Sequence, residues 1–170
     1  MKYSEMTKEE KSNQKIINKI ISEGFISNSF FNGCVSSCSK DQCKIIEKMF
    51  MDIATKEFDN GYIQINKFAY YNDFDVPFKF KDYEKYANEK IVKIFNSLKK
   101  DENVEYYVEK AIEFQSLIIE SYQEYLQDID VNIELNALIL RNYYSECETL
   151  DKLNTLLISI KSGMYLEYCC

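Results

Sequence analysis

Helix-breaking residues are scarce in this chain, whose 170 residues include one proline, Pro77, and four glycines. Sheet-rich folds and long loops usually contain more of both, because turns depend on the fixed φ of proline and the freedom of glycine. Hydrophobic residues make up 46% of the chain, which is enough apolar surface for a core and too much for a disordered chain. The sequence therefore predicts a single all-α domain that spans residues 1–170.

Apolar residues recur at spacings of three and four along most of the chain, which is the pattern of amphipathic helices. N-terminal capping boxes, in which Ser or Thr is followed three residues later by Glu or Gln, occur at Thr7, Ser39 and Ser145. We predict a bundle of six to seven helices with short connections. The best-defined apolar faces are Tyr83, Ala87, Ile91, Ile94 and Leu98; Val104, Tyr107, Ala111, Phe114, Ile118 and Tyr122; and Ile133, Ala137, Leu140 and Tyr144.

Two glycines mark expected helix ends, Gly24 and Gly61, because glycine is common just after the last turn of a helix. Residues 62–81 lack a clear helical period and contain the proline. We expect this aromatic-rich segment to be an extended connection, with at most a short pair of strands, that packs its rings onto the helices.

The chain contains no histidine. This removes the usual general base at neutral pH and the commonest metal ligand. The glycine-rich phosphate loops and the strained turn of serine hydrolases are absent as well. Two carboxylates alone can serve as acid and base, but the acidic residues are spread over the chain and no pair stands out. We therefore expect a protein that acts by binding, without enzymatic activity and without a cofactor.

Basic residues are 20 lysines and one arginine, Arg141, and the formal net charge is −7. This bias is typical of an AT-rich coding sequence. Arginine is the preferred residue for phosphate and base recognition, so we expect no nucleic-acid partner. The polar first residues lack the apolar segment of a secretory signal, and no apolar run is long enough to span a membrane. We expect a cytoplasmic, intracellular protein with no membrane partner.

Negative charge is concentrated in residues 102–170, which hold thirteen acidic and four basic residues. Within the predicted helix from Val104, carboxylates recur at spacings that place them on one side. Three interpretations remain open: a solvated face, internal pairing with lysines of the preceding helix, or a docking surface for a basic partner. The candidate partner-binding residues are Glu105, Glu109, Glu120 and Glu124.

The docking interpretation gives the leading hypothesis for function: an acidic helical protein that binds another protein with a basic surface. Inhibitors, immunity or anti-defence factors and viral modulators act in this way. The alternative is a regulatory domain that responds to a ligand or a metal, with aromatic residues lining a pocket between helices. The sequence leaves the oligomeric state open.

Three cysteines fall close together, at C-x3-C-x4-C spacing, and are candidate metal ligands: Cys34, Cys38 and Cys43. Zinc takes four ligands in a structural site, and such sites usually show two closely spaced pairs. Here the spacing occurs once and is irregular. In a reducing compartment the default state is a thiol, so we expect no bound metal.

Overall fold

The computed structural model describes residues 5–38, 44–76 and 80–164, and all regular secondary structure in these residues is helical. The prediction of a single-domain all-α bundle is confirmed. The α2 helix, a π-helical segment and α3 form one continuous run, so the described residues contain six separate helices. Their bounds are α1 Lys8–Cys38, α2 Lys44–Glu57, the π segment Phe58–Gln64, α3 Ile65–Tyr71, α4 Phe80–Tyr86, α5 Glu89–Ser97, α6 Val104–Leu126 and α7 Ile133–Lys161.

The long α1 helix lies at the centre of the bundle. It begins with the predicted capping box, since the Glu10 amide donates to Thr7 Oγ1 at 3.1 Å and the Thr7 amide donates to Glu10 Oε2 at 2.6 Å. It contacts α2, the π segment and α3 to α6. The α7 helix packs along α6 as an antiparallel hairpin on the outside. None of the described helices is both long and apolar enough to cross a membrane.

An aromatic cluster joins α1 to α6 in the core. The rings of Phe30 and Phe114 stack with centroids 4.2 Å apart and an interplanar angle of 7°. Both side chains are fully buried. The four residues that the apolar periodicity places at the centre of the core are confirmed as buried, with at most 8% of each exposed: Ile94, Phe114, Ile118 and Tyr122.

Two glycines allow the backbones of α1 and the π segment to touch where they cross. A Cβ atom at Gly24 would lie 2.7 Å from the Cα of Gly61, and a Cβ at Gly61 would lie 2.6 Å from the Cα of Gly24. Real Cβ atoms essentially never come this close, so any side chain at either position would force the helices apart. The prediction that these glycines end helices was wrong, because both lie within helical structure and serve as a crossing point.

Several other predicted boundaries were also wrong. Ser145 lies in the interior of α7, so its capping box does not begin a helix. Residues 62–71 are helical and α4 begins at Phe80, so the non-helical connection is confined to residues 72–76 in the described part of the chain, and its first two residues form a turn. The predicted helix from Asp82 is two helices, because Asn88 caps α5 by accepting a hydrogen bond from the Lys90 amide at 2.9 Å. The capping box at Ser39 lies outside the described residues.

The α7 helix presents the opposite face to the core from the one that its apolar pattern predicts. Ile133, Ala137, Leu140 and Tyr144 are all exposed. Half of the buried face is polar, which hides its helical period from a search for apolar spacing. The buried residues of α7 are Leu135, Ile139, Asn142, Glu146, Thr149 and Leu153.

Candidate functional site

The predicted acidic residues lie along the outer side of α6, between α5 and α7. Glu109, Glu120 and Glu124 are exposed and Glu105 is partly exposed. At the N-terminal end of the stripe, Lys161 Nζ from α7 lies 2.8 Å from Glu109 Oε1 and 3.6 Å from Glu105 Oε1. The hydrogen bond that Lys161 donates to Glu109 raises the pKa of Lys161. One lysine thus lies beside two carboxylates at this end of the stripe and offsets one of their two charges.

The C-terminal end of the stripe is more open. Lys90 Nζ of α5 lies 3.9 Å from Glu120 Oε2, and both side chains are more than half exposed. Such a contact is worth little in water. In the described part of the chain no basic group lies within 4.0 Å of Glu124. Glu120 also borders a depression lined by Lys90, Lys93 and Lys110, so of the four predicted residues Glu124 is the one with no described basic group close by.

A second group of charged residues, which the sequence analysis missed, is buried between α2 and α7. Lys56 Nζ lies 2.9 Å from Glu146 Oε2 and 3.0 Å from Glu57 Oε1. Gln115 Nε2 of α6 donates to Glu146 Oε2 at 2.8 Å. Lys56 also donates to Thr149 Oγ1 at 2.5 Å. This buried polar cluster ties three helices together through one cation and two carboxyl groups.

Burial raises the pKa of Glu57 well above its usual range, and the neighbouring Glu146 carboxylate raises it further. Burial alone would lower the pKa of Lys56, but the two carboxyl groups raise it. The arrangement of lowest cost is therefore one protonated lysine, one carboxylate and one neutral carboxylic acid on Glu57, which leaves no net buried charge. Gln115 Oε1 and Asn142 Oδ1 are buried with no hydrogen-bond partner in the described residues, whereas Glu57 Oε1 is in ion-pair contact with Lys56.

The carboxyl groups of this cluster are poorly placed for chemistry on a substrate. Glu57 and Glu146 are at most 3% exposed. Lys56 and Thr149 instead line the nearest measured depression, which has a volume of about 390 Å³. A substrate would have to displace the lysine before it reached either carboxyl group, so we interpret the cluster as a structural contact between α2, α6 and α7.

A third buried carboxyl group, Glu23 on α1, occupies a site between α1, α5 and α6. Burial raises its pKa to about 7. Three donors oppose that effect: the hydroxyl of Tyr125 at 2.7 Å, the amide of Asn88 at 3.1 Å and the hydroxyl of Ser121 at 3.3 Å. The amide of Asn88 belongs to the cap of α5. The protonation of Glu23 is therefore coupled to the position of that helix.

Of the three predicted metal ligands, the structure describes the side-chain surroundings of Cys34 alone. Cys34 is buried in the core on α1, Cys38 is the last residue of the same helix, and Cys43 lies outside the described residues. Among the described residues, no group of three His, Cys, Asp or Glu side chains is arranged to hold a metal ion.

Exposed aromatic side chains mark the end of α3. Tyr70 and Tyr71 are 78% and 81% exposed, and their rings meet edge to face with centroids 5.6 Å apart. With Phe74 and Asp75 they border a depression of about 340 Å³. The five depressions measured on the described surface are all open to solvent, and none is an enclosed cavity. Tyr70 and Tyr71 thus lie at the surface, whereas Phe68 of the same helix is buried.

No protein-family model matches this sequence, and a search of curated proteins found no significant match.

Sequence reasoning missed the buried charges because charged residues are normally assigned to the solvent face. The only local signal was the position of these two carboxyl groups in the helical repeat. Glu57 follows the apolar positions Phe50, Ile53 and Ala54 of α2 at helical spacing, and Glu146 follows Leu135 and Ile139 of α7 in the same way. A carboxylate that continues an apolar stripe points to burial, and to a need for partners on another helix.

Proposed function

We propose that this protein acts by binding another protein that presents a basic surface, and that it performs no catalysis of its own. The observation that carries this proposal is the acidic face of α6, defined by Glu105, Glu109, Glu120 and Glu124, together with the excess of nine negative charges in residues 102–170. A field of one sign speeds the encounter with an oppositely charged partner and disfavours partners of the same sign.

The pairing pattern on α6 refines the proposed site. Lys161 lies 2.8 Å from Glu109 and 3.6 Å from Glu105 and offsets one of their two charges, so these two residues are partly engaged within the protein. Glu120 and Glu124 are available at the end of the helix that lies nearer to the connection with α7. We therefore place the centre of the basic partner's contact over Glu120 and Glu124.

The regulatory alternative needs an enclosed pocket lined by aromatic residues. The measured depressions are open, and three of the largest are lined mainly by polar and charged side chains or by a few exposed residues around Tyr70. This observation favours the protein-binding proposal over a ligand-responsive domain.

The test begins with capture of the partner from the native source by the wild-type protein, followed by measurement of the association rate across salt concentrations. The double variant Glu120→Lys, Glu124→Lys should associate more slowly at low salt and show a flatter salt dependence, because exposed charges are screened over about 8–10 Å at physiological ionic strength. The matched control is Glu105→Lys, Glu109→Lys, which makes the same change in net charge at the end beside Lys161 and should change the rate less. A double Lys variant that associates at the wild-type rate at low salt would contradict the proposal.

A further inference from the structure

The solvent face of α7 carries a continuous apolar stripe. Ile133, Ala137, Leu140 and Tyr144 follow one another at spacings of four, three and four residues, so they lie on one side of the helix. Ile133 is 86% exposed, Tyr144 61% and Leu140 42%, and Ala137 is exposed too. The opposite side of α7 is already buried against α6. The helix thus has a mixed apolar and polar face that the described part of the chain covers, and an apolar stripe that it leaves exposed.

Alternation of three and four is the spacing with which one helix packs its side chains between those of another. A contiguous apolar strip of this kind on an outer helix marks an interaction surface, whereas scattered exposed apolar residues do not. The stripe covers three turns of α7, which matches the contact length of a short pair of helices.

Charges beside the stripe indicate which helix fits. Glu134 and Arg141 lie along one edge of the stripe, and Asn136 and Tyr143 lie along the other edge. Arg141 Nη2 donates to Gln64 Oε1 at 2.5 Å, which holds the guanidinium beside the stripe and leaves further N–H groups for a second acceptor. One edge is therefore charged with both signs, and the other edge is neutral.

This arrangement is self-complementary in one orientation only. When two copies of α7 meet face to face and antiparallel about a two-fold axis, each edge meets its own counterpart in the reverse direction. Glu134 of one copy then lies beside Arg141 of the partner subunit, and the same pair forms a second time. In a parallel pair, the charged edge would meet the neutral edge instead, and neither charge would gain a partner.

We propose that the outer face of α7 binds a second copy of this chain in antiparallel orientation. With the two-fold axis between residues 138 and 139, Ile133 packs against Tyr144 of the partner subunit and Ala137 packs against Leu140 of the partner subunit. Each layer thus pairs a smaller side chain with a larger one. Stable dimers bury about 1,200–2,000 Å², and three turns of helix bury less than that. The dimer is therefore weak and depends on concentration. It uses a different surface from the acidic face of α6 and stands independently of the proposed function.

Sedimentation of the full chain from about 1 µM to about 1 mM, at fixed salt and with a reducing agent, tests self-association. The wild type should shift from monomer toward dimer across this range. Ile133→Glu should stay monomeric, because it places a charge within the contact. Ile158→Glu is the matched control, since Ile158 is 66% exposed on the same helix, four turns beyond Tyr144, and it should behave as the wild type. A wild type that remains monomeric throughout, or equal behaviour of the two variants, would overturn the proposal.

A charge-swap series tests the antiparallel register. Glu134→Arg and Arg141→Glu should each weaken the dimer roughly tenfold, because each places two pairs of like charges across the contact. The double swap should restore wild-type association, since it recreates both pairs with their signs exchanged. Thermal unfolding of each variant checks that the monomer is intact. A double swap as weak as the single swaps, in variants that remain folded, would exclude this register.

Discussion

The crossing of α1 and the π segment at two glycines provides the sharpest test of the packing. In Gly24→Ala the new Cβ would lie 2.7 Å from the Cα and 2.8 Å from the carbonyl carbon of Gly61. The obstruction is backbone, so rotation of a side chain cannot relieve it. Overpacking in a core costs about 1–3 kcal/mol and occasionally more, and here we expect the upper end, about 3 kcal/mol. Replacing a helical glycine by alanine stabilises the helix by about 1 kcal/mol, which offsets part of this cost. The net expectation is a loss of about 2 kcal/mol in the free energy of unfolding.

The same chain offers a matched control in Gly33→Ala, on the same helix. There the new Cβ would meet one atom within 4 Å, the Leu98 Cδ2 methyl at 3.4 Å, which is the far end of a flexible side chain. We expect Gly33→Ala to stabilise the protein by about 0.5–1 kcal/mol through helix propensity and reduced freedom of the unfolded chain. Identical substitutions in one helix should therefore differ by about 3 kcal/mol, or about 6–12 °C in Tm for a chain of this size.

Urea unfolding followed by circular dichroism, with both variants measured beside the wild type, separates these effects. The double variant Gly24→Ala, Gly61→Ala should lose less than the sum of the two single variants, because one separation of the helices accommodates both methyl groups. If Gly24→Ala were as stable as Gly33→Ala, the two backbones would not be in contact at this crossing.

Three further predictions concern the core, a buried carboxyl group and the thiols. Phe114→Ala should lower the free energy of unfolding by about 3–5 kcal/mol, because Phe114 is fully buried and stacks on Phe30; an unchanged urea midpoint would contradict the assigned core. Glu23 has a pKa of about 7 in the folded protein and 4.5 as its ordinary value, so between these pH values the folded state holds a proton that the unfolded chain has lost. The free energy of unfolding should therefore fall by roughly 3 kcal/mol, from this group alone, as pH rises from about 4.5 to about 7. Urea unfolding across that pH range should show a smaller decline for Glu23→Gln than for the wild type. Cys34 is buried and should react with a thiol reagent only after the protein is unfolded. Metal analysis of the purified protein should find no stoichiometric zinc. One equivalent of zinc would instead support Cys34, Cys38 and Cys43 as ligands.

The parts of the fold that sequence analysis predicted are those that depend on one helix at a time. The capping box at Thr7 and the apolar stripe of α6 through Phe114 and Ile118 are local patterns, and both are present in the structure. Whether a glycine ends a helix or meets another helix depends on a contact far away in the chain. Gly24 and Gly61 are separated by 36 residues, so neither position alone distinguishes the two outcomes.

The face of α7 could not be predicted for a related reason. The helix has an apolar stripe on each side, and the stripe that is purely apolar is the exposed one. The buried side includes Asn142 and Glu146, which become favourable inside because Lys56 and Gln115 reach them from other helices. Partners of this kind are set by tertiary structure, and helical periodicity contains no information about them.

The π segment makes the chain tolerant of a change in length at one place. A π-helical turn accommodates one residue more than an α-helix would need to follow the same path. Removal of a single residue between Phe58 and Gln64 would therefore let α2 continue into α3 as a regular α-helix, with Phe68 still buried and Tyr70 and Tyr71 still exposed. Removal of a residue from the regular part of α2 has no such turn to absorb it. It would rotate the residues that follow by about 100° and move them by about 1.5 Å relative to the start of α2. The same one-residue deletion should thus be far less damaging in the π segment than one or two turns before it.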